Sequence, residues 1–412
     1  MHLSSTGLVP SFLKKRKACF IWPYFGPQYF QRFDACKRYL KDCIEFYCIA
    51  LSSQTKSYPF WINQYPNIFY WTDKYWEDES PAYLFKKVHY YLANINPDVV
   101  FTHSYSTVDA RSAAIYALEK KKKLCIMSDS HYSDYRRSWY VELVKSLLIK
   151  GADSMLVSGP MQSHYYGHNL RFDHQIFFGY SALSPSHLHS LALRSDQSSI
   201  ILDSIPNKPF LFCAARPLQK KNVPALCNAW RNSKAAESSL LVIAGGEACD
   251  YNVSDYHESI LFLGSLSPEQ VLLVISRSSG CILPSTSEQF GNFITEAIAF
   301  RKPILLSNKL GCLDLALRYN PSYLFNPFSL EDIIIALDSW NLELPQPGEE
   351  VKDSEYLFPL AVHVRDFVSN VYNIVFSYQR SRPLDKLISL ILFYLVAILF
   401  RNKQAVDLNL DR

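Results

Sequence analysis

No two of the ten cysteines form a C-x-x-C pair, which removes zinc-ribbon and thioredoxin-type readings. Cys19, Cys125, Cys213 and Cys281 instead sit inside apolar runs, as small buried hydrophobes do. A large excess of charge is also missing. The formal net charge is +4 and charged residues make up 19% of the chain, so the balance gives no reason to expect nucleic acid as a partner. The N-terminus lacks the apolar h-region of a secretory signal, and a reducing, cytoplasmic setting is expected. A long hydrophobic run is absent too. Leu387 to Phe400 (LISLILFYLVAILF) is uncharged for fourteen residues. As a helix it spans about 21 Å, short of a hydrocarbon core of roughly 30 Å. It could dock on the protein, lie in the membrane interface or enter one leaflet; residues 387–400 are therefore a candidate for peripheral contact with the inner face of the membrane.

What is present fits a globular protein of two or three domains: 412 residues, 49% hydrophobic and 15% aromatic. Aromatic density is compatible with rings that stack on sugars, and equally with ordinary core packing. Basic residues cluster at Lys14–Lys17 and Lys120–Lys123. Either run could meet anionic headgroups, although solvation as a tail or loop accounts for each alone.

Apolar β-type runs alternate with helical patterns, which implies parallel β-α-β units and an α/β fold. Strands are expected at 18–22, 45–51, 98–102, 124–127 and 154–157, with helices at 32–41, 81–94, 107–119 and 138–149. Residues 181–207, rich in Ser, Pro and His, read as a linker with room for a short helix. The alternation restarts with strands at 210–214, 240–244, 260–263, 280–283 and 303–306. Helices are expected at 223–231, 268–276 and 290–300. The expected organisation is an N-terminal Rossmann-like domain (18–180), the linker (181–207) and a second Rossmann-like domain (208–345). A return helix toward the first domain (355–380) and an apolar tail (384–412) follow. Two doubly wound domains then face a cleft, with ligands at the carboxyl ends of their strands.

The chemistry concentrates in Ser285-Thr286-Ser287-Glu288-Gln289-Phe290-Gly291-Asn292-Phe293-Ile294-Thr295-Glu296. A strand ends at Pro284 and a helix opens near Gly291. Its unpaired N–H groups suit a diphosphate, and glycine permits close approach. Glu288 can face a sugar, and Glu296 can accept hydrogen bonds from ribose hydroxyls. Taken alone, the two glutamates also read as a cap and a surface residue.

The stretch SEQFGNFITEA resembles the E-x7-E donor motif of the retaining family 4 glycosyltransferases, whose GT-B fold pairs two Rossmann-like domains. Phe212–Asn222 is similar to that family's G-R-L-x-x-x-K-G segment, which implies that Arg216 and Lys221 contact a donor diphosphate. Leu241–Gly246 resembles its I-x-G-x-G strand end, which points to Gly245. Phe262-Leu263-Gly264 resembles its F-L-G segment, and Lys302-Pro303-Ile304 its K-P-V strand. Phe290, Gly291, Asn292 and Glu296 are implied as further donor contacts. In the N-terminal half, Asp98–His103 and Lys150–Ser158 resemble strands of the family more weakly, and Phe177–Tyr180 and Arg136–Lys145 resemble stretches of its polysaccharide-building members. The family's paired glycines after the first strand survive only as Gly26. Ala215 and Arg301 replace glycines, and glycine is sparse overall, 13 of 412. A non-glycine at 301 costs about 1 kcal/mol if its φ is positive. The family often has an acceptor-side histidine where this chain has Asp129; His131 stands two residues on, and His103 is a third candidate.

The resemblance implies transfer of a sugar from a nucleotide-diphosphate sugar, with retention, to a glycan or lipid-linked acceptor. No Asp-x-Asp motif occurs, so no metal or other cofactor is expected, and Arg216, Lys221 and the helix N-terminus would neutralise the leaving diphosphate. Two alternatives stay open: a sugar-nucleotide epimerase on the same fold, and a catalytically silent homologue serving as a scaffold.

Overall fold

The apolar segments β1 (Arg16–Tyr24) and β2 (Ile44–Ser52) pair in parallel over most of their length, from Arg16 beside Ile44 to Tyr24 beside Ser52. In the computed structural model of the chain, residues 14–56, 68–72, 74–134, 137–193, 198–254, 256–318, 322–340, 363–378, 381–400 and 402–403 are described. The remaining N-terminal strands are β3 (Phe69–Thr72), β4 (Val99–Thr102), β5 (Lys123–Ser128), β6 (Ser154–Val157) and β7 (Gln175–Phe178). They form one seven-stranded sheet in the order β3-β2-β1-β4-β5-β6-β7. A second, six-stranded sheet contains β8 (Phe210–Ala214), β9 (Leu240–Ala244), β10 (Ile260–Phe262), β11 (Gly280–Leu283), β12 (Ile304–Ser307) and β13 (Ser322–Phe325). Its order is β10-β9-β8-β11-β12-β13.

Every pairing in both sheets is parallel. Helices cover both faces, so central strands such as β9 and β11 are buried throughout and read as unbroken apolar runs. Each sheet reverses its winding beside its first strand, between β1 and β4 and between β8 and β11. Loops leaving the carboxyl ends of these strands are where such sheets hold ligands. Gly26 follows β1, Asp129 follows β5, Arg216 follows β8, and Glu288 follows β11. The architecture is GT-B: two Rossmann-like doubly wound domains facing a cleft.

The segment expected to be a linker with a short helix holds two. Helices Pro185–Ala192 and Ser198–Asp203 occupy it and pack on helix Pro268–Arg277 of the second domain. His189 donates to the Ala299 carbonyl at 2.9 Å and stacks on Phe300. Lys123 also departs from a solvated reading: it is buried, and its ammonium caps the end of helix Val364–Phe376 by donating to Ile374 O at 2.9 Å. That helix buries Phe367, Val371 and Ile374 against the first domain's core, as a return helix should. The part of the expected return segment at 355–362 lies outside the described residues.

The apolar run near the C-terminus extends from Pro383 to Leu399 and docks on the first domain. It lies on helices Val108–Glu119 and Trp139–Ile149. Phe393 and Ser389 are fully buried. The Ser389 hydroxyl donates to Leu148 O at 2.6 Å, and Lys386 pairs with Asp153 at 3.0 Å. Among the described residues no helix is long and apolar enough to cross a membrane. Gly151 permits the docking, because a Cβ there would lie 2.4 Å from the Ser389 side chain. Gly151→Ala is expected to loosen this helix and lower unfolding stability by about 1–3 kcal/mol. Urea unfolding checks it, with limited proteolysis around residues 377–386 as the local readout.

Candidate active site

A cleft of about 720 Å³ lies between the two sheets. From the second domain it is lined by Arg216, Lys221, Gly245, Glu288, Phe290, Gly291, Asn292 and Glu296; from the first, by Tyr24, Gly26, Gln28, Tyr29 and Asp129. The sequence-predicted donor residues therefore converge, with one exception. Gly264 is not among the lining residues; its neighbours Ser265 and Leu266 are. Gly264 instead receives the Gly245 N–H on its carbonyl at 2.7 Å, and its φ of +63° turns the chain beside Glu247.

Lys221 sits at the end of a short 3-10 turn, Gln219–Lys221, and its ammonium is ion-paired to the Glu288 carboxylate. The Thr286 N–H donates to Lys220 O at 2.8 Å, tying the loop after β8 to the loop after β11. Ser285, fully buried, donates to Glu288 at 3.3 Å. Gly291 precedes helix Asn292–Ala299 with a φ of +102°, a conformation suited to glycine. At Gly245, φ is +121°, and a Cβ would meet the Ala215 carbonyl at 2.2 Å.

The loop that carries Glu288 is held from both domains. His131 donates through Nε2 to Glu288 O at 2.9 Å, because a carbonyl can only accept, while Ser133 donates to its Nδ1 at 3.1 Å. Gln162 donates to Gln289 O at 2.9 Å and to Gly311 O at 3.1 Å. Ser287 donates to Asp134 O at 2.8 Å. His131 is thus a brace behind the loop, and it is not among the residues lining the cleft. His103 is likewise absent from the lining and engages Asp109 and Thr107, each at 3.0 Å. Of the three acceptor-side candidates, Asp129 alone lines the cleft. Burial, reinforced by Asp134 and Glu288, pushes the Asp129 carboxyl up to about 6.

Sequence reasoning missed Gln28. It stands in the first turn of helix Pro27–Leu40, directly after Gly26 and Pro27. Its amide donates to Glu296 at 3.1 Å, and its carbonyl accepts from Asn292 at 3.0 Å, so one side chain bridges the cleft. Burial pushes Glu296 up to about 7, against the lowering effect of the Gln28 hydrogen bond. Leu266 and Val271, also unread, line the cleft beside Ala244.

Residues 196–347 match the family described as glycosyl transferases group 1. That match spans the second sheet and the helices around it. No curated protein sequence matches the chain. Among solved structures, a sucrose-phosphate synthase from Thermosynechococcus elongatus is similar over 94% of this chain and 100% of its own, with 14% identity and a TM-score of 0.58. HepE of Anabaena, solved with UDP and glucose, has 14% identity and a TM-score of 0.58 over 94% and 99% of the two chains. A putative UDP-N-acetylglucosamine 2-epimerase from Listeria monocytogenes has 16% identity and a TM-score of 0.54 over 87% and 95%. At these identities the likeness is one of fold.

The raised Glu296 has a sign that can be checked. Its ordinary value is 4.5 and its folded value about 7, so between them the folded protein holds a proton that the unfolded chain releases. Stability contributed by this group falls as pH rises through that window, by on the order of 2 kcal/mol. Glu296→Gln is therefore expected to stabilise the ligand-free protein at pH 8 and progressively less toward pH 5. Urea unfolding of both proteins at four pH values reads the difference; a constant offset would contradict the assignment.

Proposed function

We propose that the protein transfers a sugar from a nucleoside diphosphate sugar to a glycan or lipid-linked acceptor, with retention at the anomeric carbon, in polysaccharide biosynthesis at the cytoplasmic face of a membrane. The observation that carries the reading is the convergence of Arg216, Lys221, Glu288 and Glu296 on one cleft at the opening of helix Asn292–Ala299. Two cations and the N–H groups of a helix start can neutralise a leaving diphosphate by preorganised electrostatics, and on this reading no metal is needed. Glu296 accepts from ribose hydroxyls in place of Gln28. Glu288 orients the sugar once the diphosphate engages Lys221. Asp129, on the opposite wall, faces the acceptor hydroxyl, and Tyr24 and Tyr29 offer faces for its ring. The leaving phosphate receives the acceptor proton, so the new glycosidic bond forms on the face from which the old one breaks.

Epimerase structures share this fold, so a sugar-nucleotide epimerase is the second reading, and a silent scaffold the third. The paired cations facing paired carboxylates favour transfer. Glu288→Ala and Lys221→Ala are each expected to lower donor hydrolysis or transfer by about 100-fold or more while near-ultraviolet circular dichroism is unchanged. Near-normal turnover in both would sink the proposal. Calorimetry with nucleoside diphosphates separates the scaffold, which need not bind them. Conversion of one nucleotide sugar to another without any acceptor would instead identify the epimerase.

Asp129→Asn has a narrower expected effect. Transfer to acceptor falls by about 10-fold or more, as when a group that orients the attacking hydroxyl is removed, while calorimetric affinity for the nucleoside diphosphate stays near normal. An equal loss of donor affinity would place Asp129 on the donor side.

A further inference from the structure

Helix Pro383–Leu399 has two apolar faces, and the protein covers one. Ser389, Phe393 and Val396 turn inward. Leu384, Leu387, Ile391, Leu395 and Ile398 recur at spacings of three and four on the other side, and each is between 48% and 65% exposed. No charged residue occurs between Leu387 and Leu399. The helix has 17 residues, about 25 Å of length. It packs beside helix Trp139–Ile149, which itself leaves Trp139, Tyr140 and Leu143 exposed, Trp139 at 78%. Monomeric soluble proteins rarely leave so continuous an apolar stripe open to water.

Cations border the stripe. Tyr394 donates to Glu119, and the exposed Lys120 and Lys121 follow directly in that loop. Arg382, in long contact with Asp173, projects at the start of the helix, and Lys403 is exposed beyond its end. Apolar residues flanked by Trp, Tyr and Lys or Arg are what a helix lying in the plane of a bilayer surface needs. A second copy of this chain would set the cationic borders against one another. We propose that this face binds an anionic bilayer, with helix Pro383–Leu399 lying flat in the headgroup region. Helix Trp139–Ile149 belongs to the domain that carries Asp129, so a lipid-carried acceptor would approach the cleft from the domain that the bilayer holds. That last consequence rests on the transferase reading; binding to the bilayer does not.

Flotation of the full chain with phosphatidylglycerol–phosphatidylcholine vesicles, and with phosphatidylcholine alone, tests the proposal. The protein is expected to float with the anionic vesicles and far less with the neutral ones. The L387Q/I391Q/I398Q variant should lower the bound-to-free ratio by about tenfold or more on anionic vesicles. K120Q/K121Q should weaken binding to anionic vesicles alone and needs no change in any packed residue. Unchanged thermal unfolding of both variants verifies the fold. Failure of the unaltered protein to float overturns the proposal. So does light scattering that shows a dimer which L387Q/I391Q/I398Q converts to monomer. Flotation that persists with no nucleoside diphosphate binding by calorimetry supports the surface while rejecting the donor reading.

Discussion

The backbone carbonyls of Glu288 and Gln289 belong to the second domain, yet their hydrogen-bond donors His131 and Gln162 come from the first. This cross-domain seam holds the loop that carries Glu288, so the geometry of the site depends on how the two domains meet. The seam is stiff on both sides. Gly311 comes so close to Gln289 O that any side chain at 311 would collide with it. On the first-domain side, Arg137 donates to His131 O at 2.7 Å and pairs with Asp134, while Glu142 takes Lys145 at 3.3 Å and Tyr165 at 2.8 Å. Arg137, Lys145, Asp134 and Glu142 thus form a largely buried set with balanced charge, which removing any one member would leave unpaired. Within the stretch Arg136–Lys145, Arg137, Glu142 and Lys145 thus support the bracing loop, while Arg136 lies outside the described residues.

The fold was legible wherever strands are buried on both faces, because such strands read as unbroken apolar runs. The central strands of both sheets fall close to their expected bounds. The strands overlooked lie at sheet edges: β3, β7 and β13 are four residues each, and β7 (QIFF) is only partly buried. Short edge strands carry little periodicity. Helix Pro185–Ala192 opens on a Ser184 cap with Pro185 at its first position, two start signals that a Ser- and His-rich linker can carry.

The site divides in the same way. Glu288, Gly291 and Glu296 stand on one local strand–turn–helix unit whose spacing survives in one dimension, whereas Arg216 and Lys221 came from the resemblance of Phe212–Asn222 to a family segment; all five line the cleft. Gln28, Gln162 and the bracing role of His131 were not readable, because each depends on how the domains meet. The glycine replacements resolve individually. Arg301 has a φ of +54° and bears the expected strain. Ala215 is not among the residues with positive φ; its carbonyl accepts the Tyr251 hydroxyl and lies against Gly245, so the glycine requirement falls on 245 instead.

Opposite charges in the ligand-free cleft are already matched, and this shapes what a ligand must do. Lys221 and Glu288 are largely shielded from water, so either charge alone would carry a desolvation cost. Their mutual pairing offsets it. Likewise Gln28 supplies the hydrogen bond that a buried Glu296 would otherwise lack. An entering diphosphate that takes over Lys221 leaves Glu288 without its counter-charge, and a carboxylate so placed then favours a partner with hydroxyl donors. On the proposed reading, the diphosphate and the sugar hydroxyls of a single donor provide both halves of that exchange. A nucleoside diphosphate alone provides only one, so on that reading the intact donor is the ligand that serves Lys221 and Glu288 together.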